Sequence, residues 1–319
     1  MSKHYLITGG AGFIGSHLTE RMLKEGHKVT IIDDFNTYYD PETKRQNLAN
    51  VRQHINLIEG DIRDAILVER TFAKGKFDQV IHIAARAGVR PSIQNPKLYF
   101  TTNIDGTFNL LDACRYHEVP RFTFASSSSV YGINKKVPFA EADPLERTIS
   151  PYAATKLAGE QICSNYAHLF GIHCQCLRFF TVYGPRQRPD LAISKFTKRI
   201  LDGTPIQQYG DGSTARDYTY IEDIIDGIVA ASKYDKKSFD IFNLGGSATT
   251  KLSELINMIE NATGKQAITE QMPDQPGDVP RTYADISKAK NLLGYTPQTP
   301  IYEGIQKYVQ WFRECNSEV

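Results

Sequence analysis

The sequence contains no long apolar run, so no segment reads as a membrane-spanning helix. It has no charge of one sign to spare. Its 37 Lys and Arg face 36 Asp and Glu, a net charge of +1, which gives no electrostatic case for a nucleic-acid or membrane partner. The five cysteines (Cys114, Cys163, Cys174, Cys176 and Cys315) are odd in number and show no metal-ligand spacing. Neither a disulfide framework nor a metal site is expected. Cys174 and Cys176 alternate in an apolar strand and so face one side, as core residues. Reduced thiols suit a cytoplasmic enzyme. There is no internal repeat, no low-complexity tract and no signal-peptide pattern, since a strand begins almost at once. What is present is a 319-residue chain, 41% hydrophobic, with enough apolar residues for one main domain and a smaller lobe.

The first half reads as repeated strand-then-helix units. Apolar strands are expected at His4 to Thr8, Val29 to Ile32, Ile55 to Ile58, Val80 to Ala84, Phe122 to Ala125 and His173 to Leu177. Helical patterns lie between them: one after the first glycine turn, with Ile14, Leu18 and Met22 on one face and Gly26 at its end, then Asn103 to Tyr116 and Tyr152 to His168. The alternation predicts an α/β fold, a Rossmann-type doubly wound parallel sheet with helices on both faces and ligands at the carboxyl ends of its strands. After about residue 178 the regularity breaks into loops rich in Pro, Gly, Arg and Asp, with helices near Ser194 to Leu201, Ile221 to Lys233 and Lys251 to Thr263. The expected division is 1–177 as the dinucleotide-binding domain, to which 213–248 returns. A smaller mixed α/β substrate-binding lobe is expected from 178–212 and 249–319.

Gly9, Gly12 and Gly15 are spaced three apart between the first strand and the first helix, with Phe13 and Ile14 between the last two. The first glycine permits the turn, the second lets backbone approach a pyrophosphate, and the third lets helix and strand pack closely with the phosphate at the helix N-terminus. Asp33 ends the second strand 18 residues after Gly15. Its carboxylate suits the adenosine ribose hydroxyls and repels a 2′-phosphate, which favours NAD over NADP. Asp61 and Ile62 are placed to meet the adenine, although Asp61 also suits a helix cap. Ala84 and Ala85 are small where a pyrophosphate or ribose lies close, or where a helix packs. Asn36 reaches the ribose or shapes its loop.

Tyr152 and Lys156 stand four apart, on one face of a helix. A phenol near a pKa of ~10 is a poor base at neutral pH, and a nearby ammonium together with the nicotinamide charge favours the phenolate. Tyr152 can then take a hydroxyl proton while hydride leaves the same carbon, and Lys156 also suits the nicotinamide ribose. Four serines, 126–129, end the fifth strand. Ser127 is the choice for the hydroxyl that bonds the reacting oxygen, with Ser126 and Ser128 as alternatives or as turn formers.

With these motifs the sequence resembles the extended short-chain dehydrogenase/reductases, specifically the NAD-dependent nucleotide-sugar epimerases and dehydratases, over nearly its whole length. Thr-Gly-Gly-Ala-Gly-Phe-Ile-Gly at 8–15, Ser-Val-Tyr-Gly at 129–132, Arg-Phe-Phe-Thr-Val-Tyr-Gly-Pro at 178–185, Arg-Asp-Tyr at 216–218 and Pro-Gly-Asp-Val at 276–279 carry the likeness. The resemblance implies a tightly held NAD, reduced and reoxidised within one turnover. It matches Arg216 to a diphosphate-binding arginine and Asp278 to a nucleotide-ribose contact. It also places Gln207 and Tyr209 about a uracil, and Phe180 and Thr181 toward nicotinamide and sugar. Many relatives carry Arg three residues before that Asp, where this chain has Gln275. A homodimer through the helices Asn103 to Tyr116 and Tyr152 to His168 is implied by the resemblance alone.

Two departures and one likeness narrow the substrate. Dehydratases and decarboxylases of the family have Glu where this chain has Ser129, so the general acid/base for elimination is missing. UDP-galactose 4-epimerases have Asn where it has Thr181. The segments 33–40, 87–92 and 185–190 look like UDP-glucuronate 4-epimerases. A uronate needs a partner for its carboxylate, and arginine binds carboxylate through two parallel hydrogen bonds. Arg188 is the first candidate, with Arg90 and Arg186 behind it, and Thr181 and Ser127 are placed to assist. The expected enzyme is therefore a UDP-glucuronate 4-epimerase working through a 4-keto sugar. A UDP-glucose/UDP-galactose or N-acetylhexosamine 4-epimerase is the alternative. A decarboxylase and a non-catalytic NAD-binding sensor come behind, and a sensor has no use for the intact Tyr/Lys/Ser set.

Overall fold

A computed structural model describes residues 1–273 and 279–316. In chain order the strands are β1 (His4–Thr8), β2 (Lys28–Asp33), β3 (Asn56–Glu59), β4 (Gln79–His82), β5 (Arg121–Ser127), β6 (His173–Phe179), β7 (Thr181–Tyr183), β8 (Ile206–Tyr209), β9 (Ala215–Arg216), β10 (Tyr218–Tyr220), β11 (Phe239–Leu244), β12 (Thr250–Lys251) and β13 (Thr269–Met272). The helices begin with α1 (Phe13–Lys24), α2 (Pro41–Asn47), α3 (Ala65–Lys74), α4 (Val89–Gln94), α5 (Pro96–Phe100) and α6 (Gly106–Tyr116). They continue with α7 (Pro151–Phe170), α8 (Ala192–Asp202), α9 (Ile221–Lys233), α10 (Leu252–Thr263), α11 (Ser287–Leu293) and α12 (Ile301–Asn316).

Strands such as β1 and β4 carry buried residues on both faces, which only a sheet covered on both sides can accommodate. The seven-stranded sheet has the order β11-β6-β5-β4-β1-β2-β3, and every pairing is parallel. The order reverses between β1 and β4, so a crevice opens at their carboxyl ends, where a doubly wound sheet binds its ligand. Pairing of β4 stops at His82, two residues short of the sequence expectation. The Ala84 N–H turns back instead to the Thr8 carbonyl at 3.0 Å and the Thr8 hydroxyl at 3.2 Å. After β6 the chain leaves the sheet, then returns through α9 and β11, whose Phe239 to Leu244 pair with β6. The pairs β7/β10, β8/β13 and β9/β12 form three small two-stranded sheets beyond the carboxyl edge.

Helix α7 carries the site and is well specified at both ends. The Ser150 hydroxyl accepts from Ala153 N–H at 3.1 Å, Pro151 occupies the first turn, and Gly171 closes the helix in the left-handed region at φ +71°. A Cβ on Gly159 would stand 2.3 Å from the Phe124 ring, so only glycine lets α7 lie this close to β5. Behind that contact Arg178 of β6 and Glu160 of α7, both almost fully buried, are joined by bonds of 2.9 and 2.8 Å, and the Ser126 hydroxyl donates to Glu160 at 2.6 Å. Removing one partner of such a pair would strand a buried charge. Cys174 and Cys176 are fully buried, as the alternation predicts, beside Cys163 and Cys114.

The helix expected to start at Asn103 begins earlier. Pro96 starts α5 on the Asn95 cap, and a wide π-type turn at Thr101–Asp105 runs into α6. β-Branched Thr101, Thr102 and Ile104 weaken the helical pattern there and hide the continuity.

Candidate active site

Two cavities meet above the carboxyl edge of the sheet. The first encloses about 440 Å³. It is lined by Gly9, Gly12, Phe13, Ile14 and Gly15, by Asp33, Asn36, Asp61, Ile62, Ala84 and Ala85, and by Ser127, Ser128, Tyr152, Lys156, Phe180 and Arg188. The second, about 970 Å³, is lined by Arg90, Gln207, Tyr209 and Arg216 of the predicted set. Thr181 and Leu191 line both, so this is where contents of the two would touch. Asp278 and Gln275 lie outside the described residues.

The first cavity fits a dinucleotide. Gly9 takes φ +70°, and a Cβ on Gly15 would come within 2.1 Å of the Gly9 carbonyl oxygen, so the turn closes only over hydrogen atoms. No side chain caps the start of α1, which leaves its first N–H groups to a phosphate. Asp33 is buried and accepts from Ala11 N–H at 3.1 Å and Phe35 N–H at 3.0 Å. Burial raises its pKa, while the Lys44 ammonium and these donors pull it back. Asn36 bonds Asp34 at 2.5 Å and accepts from Tyr38 N–H at 3.2 Å, so its side chain shapes the loop while it borders the cavity. Asp61 is not the cap of α3; Asp64 takes that place by accepting from Ile66 and Leu67 N–H, and Asp61 is forked to Arg63.

At the far end of this cavity Tyr152 stands half-buried on α7. Ser127 accepts from the Ser129 N–H at 3.2 Å and from the Ser129 hydroxyl at 2.9 Å, which leaves its own proton to be donated elsewhere. Ser126 spends its proton on Glu160 and is withdrawn from the role sequence left open to it. Lys156 is buried, donates to the Ala125 carbonyl at 2.7 Å and lies 6.0 Å from the Tyr152 ring centre. Burial lowers its pKa to about 8. Burial pushes the Tyr152 phenol above its ordinary value, while Ser127 and Arg188 pull it down. Arg188 thus joins Lys156, 6.0 Å from the ring centre, as a cation near the phenol.

Arg188 is forked to Asp190 by bonds of 2.8 and 2.7 Å. Arg90 lies over the Tyr209 ring at 5.0 Å in the second cavity, and the Tyr209 hydroxyl donates to Gln207 at 3.2 Å. Arg186 points away, bonded to Glu20 at 2.7 Å, and borders neither cavity. Sequence reasoning missed Arg86, Lys44, Tyr38, Tyr39 and Tyr99 around the first cavity and Asp190, Lys195 and Arg199 around the second. The Asp40 cap and Pro41 at the start of α2 were available signals for the helix that places Lys44. The others carry no motif.

The model of the GDP-mannose 4,6 dehydratase family matches residues 6–308. The chain is 43% identical over 326 residues to UDP-glucuronate 4-epimerase 4 of Arabidopsis thaliana, covering 96% of this chain and 74% of that one. Among solved structures it is similar to the UDP-glucuronic acid 4-epimerase of Bacillus cereus in complex with UDP-glucuronic acid and NAD. That match has 36% identity and a TM-score of 0.92, over 98% of this chain and 99% of that one. It is also similar to the UDP-glucose 4-epimerase of Thermotoga maritima with UDP-glucose. There the identity is 32% and the TM-score 0.91, over 98% and 99%.

Proposed function

Because the chain belongs to the GDP-mannose 4,6 dehydratase family of extended short-chain dehydrogenases, we propose that it is an isomerase, an NAD-dependent UDP-sugar 4-epimerase that interconverts UDP-glucuronate and UDP-galacturonate. The observation that carries this is the meeting of the two cavities at Thr181, with Tyr152, Ser127 and Arg188 around the junction.

Tyr152 takes the proton of the sugar C4 hydroxyl, and Ser127 donates its free proton to the same oxygen. Lys156, fixed to the Ala125 carbonyl, keeps a positive charge below the phenol. Bound NAD supplies an acceptor for hydride from C4 and a donor for its return. Phe180 walls the cofactor side. Arg90, Gln207, Tyr209 and Arg216 hold the UDP portion in the second cavity, and the family resemblance adds Asp278 at the nucleotide ribose. The 4-keto sugar turns about its diphosphate linkage while UDP stays anchored, and so offers its other face. A 4-keto uronate is a β-keto acid prone to lose carbon dioxide. Ser129 cannot protonate the product of such a loss; it braces Ser127 instead. Arg188 holds the carboxylate, assisted by Thr181 and Ser128.

One observation favours the second reading, a UDP-glucose/UDP-galactose 4-epimerase. Asp190 already pairs with Arg188, so this guanidinium needs no substrate carboxylate to balance its charge. Turnover assays with both sugars decide between the two. Conversion of UDP-glucose but not UDP-glucuronate would establish the second.

The division into a dinucleotide domain of 1–177 plus 213–248 and a lobe of 178–212 plus 249–319 is supported by the return of α9 and β11 to the main sheet. A homodimer is supported by exposed Phe108 and Tyr116 on α6 and Leu169 and Phe170 on α7, two helices in contact. Cytoplasmic residence is supported by Cys114, Cys163, Cys174 and Cys176, which are buried in the core as thiols without a disulfide. No helix among the described residues is long and apolar enough to cross a membrane, and no cluster of metal-ligating side chains occurs among them.

A further inference from the structure

An ion pair stands where the two cavities meet. Arg188 borders the cofactor side, Asp190 borders the other side, and the two are bonded Nε to Oδ1 at 2.8 Å and Nη2 to Oδ2 at 2.7 Å. The Tyr38 hydroxyl donates to Asp190 Oδ2 at 3.2 Å, and the Arg188 guanidinium lies 5.4 Å from the centre of the Tyr38 ring. Tyr38 belongs to the loop after β2 that borders the first cavity. The three side chains therefore clasp the cofactor loop to the lobe across the junction.

The edge of the guanidinium that is used matters. A guanidinium has five N–H donors in a fixed plane and can take a carboxylate along more than one edge. Asp190 occupies the Nε/Nη2 edge, so the fork uses neither Nη1 hydrogen. The fork thus leaves the Nη1 side for a second acceptor while the plane of the group is fixed by the first. A long arginine side chain without such a clamp would sample many rotamers and lose entropy on meeting a ligand.

We propose that Asp190 is a specificity-positioning residue: it grips Arg188 by one edge so that the other edge is presented to the carboxylate of a uronate sugar seated at the Thr181 junction. This rests on the reading of the substrate as a UDP-uronate. It extends that reading to a residue that touches neither the reacting carbon nor the carboxylate, and which acts through Arg188. Tyr38 serves the same end one step removed, by orienting Asp190.

The test is the ratio of kcat/KM for UDP-glucuronate to kcat/KM for UDP-glucose in the holoenzyme, measured for wild type, Asp190→Asn, Arg188→Leu and the double variant. Asparagine turns an NH2 toward the guanidinium and breaks the two-bond fork. The ratio is expected to fall about ten- to a hundredfold in Asp190→Asn, the scale of a lost charged hydrogen bond. The loss should show in kcat for the acid as well as in KM, because a misplaced sugar reacts slowly. In the Arg188→Leu background, Asp190→Asn should change the ratio no further. An equal loss for both sugars, or a further fall in the double variant, overturns the assignment. Tyr38→Phe removes only the hydroxyl that orients Asp190. It should lower the ratio by a smaller factor, and it answers the question if Asp190→Asn does not fold; an unchanged ratio there counts against the proposal. A wild type without preference for the acid would sink the substrate reading and this inference together. A wild type that prefers the acid, with an Asp190→Asn variant that keeps the preference, would sink this inference alone.

Discussion

Tyr152 and Lys156 share one helical face, and the surroundings of each also act on its charge. The phenol is raised by burial and pulled back by Ser127 and Arg188, and the ammonium is lowered by burial to about 8. Tyr152→Phe is expected to reduce turnover by roughly 10²–10⁴-fold, the range for loss of a positioned general base, with an unchanged circular dichroism spectrum. A variant that keeps wild-type turnover would remove Tyr152 from the mechanism. The Lys156 charge is present below its pKa and lost as pH rises through about 8. The kcat profile should therefore show an alkaline limb near that value. Lys156→Arg keeps a charge that does not titrate in this range, so it should lose the limb even if it is slower. A limb that persists in Lys156→Arg would assign it to another group. At this scale the sequence was readable wherever a motif fixes local geometry, as in the glycine turn and the Tyr/Lys spacing. It was unreadable where a contact depends on neighbours distant in the chain, as with Tyr38 on Asp190 and Arg86 on Asp34. The grip of Asp190 on Arg188 is local, yet nothing in the residue pattern distinguishes it from two solvated surface charges.

Element by element, a buried column joins the glycine turn to the catalytic helix. The Thr107 hydroxyl donates to the Asn103 carbonyl at 2.6 Å, so its oxygen accepts from His82 Nε2 at 2.9 Å. His82 Nδ1 is then the acceptor, and the Thr8 hydroxyl donates to it at 2.7 Å. The Asn103 side chain continues the column, donating to Thr155 of α7 at 2.9 Å and bonding both backbone groups of Arg86. Periodicity located strands and helices here to within a few residues, but the π-type turn that aims Asn103 leaves no periodic trace. Burial lowers the His82 pKa to about 3, with the Lys156 charge acting in the same direction. Folded His82 therefore stays neutral where the unfolded chain, with an ordinary value of 6.5, binds a proton. Its contribution to stability is complete above about pH 6.5 and is lost progressively as pH falls toward 3. Melting temperature should drop between pH 7 and pH 4, and His82→Asn should flatten part of that slope while costing about 2 kcal/mol at neutral pH. An unchanged slope in calorimetric scans of His82→Asn would mean that other groups govern acid sensitivity.

For the molecule as a whole, sheet order decides where chemistry occurs. The reversal between β1 and β4 opens the cofactor cavity, and the short sheets beyond β6 build the second cavity against it. The alternating first half was legible because each unit repeats the same pattern. The parts outside the main sheet were less so, because their strands of two to four residues are too short to show a period. At this scale the account predicts a dimer in sedimentation. A Phe108→Asp/Leu169→Asp double variant should sediment as a monomer, since each change places a charge on the exposed apolar face of α6 and α7. A wild type that sediments as a monomer would remove the dimer. The central claim is the identity of the reaction. It is tested most directly by incubating the purified protein with UDP-glucuronate, without added reductant, and separating the nucleotide sugars by chromatography. The account predicts a new peak of UDP-galacturonate. A UDP-pentose with carbon dioxide would contradict it, as would no conversion of the acid by a protein that turns UDP-glucose into UDP-galactose.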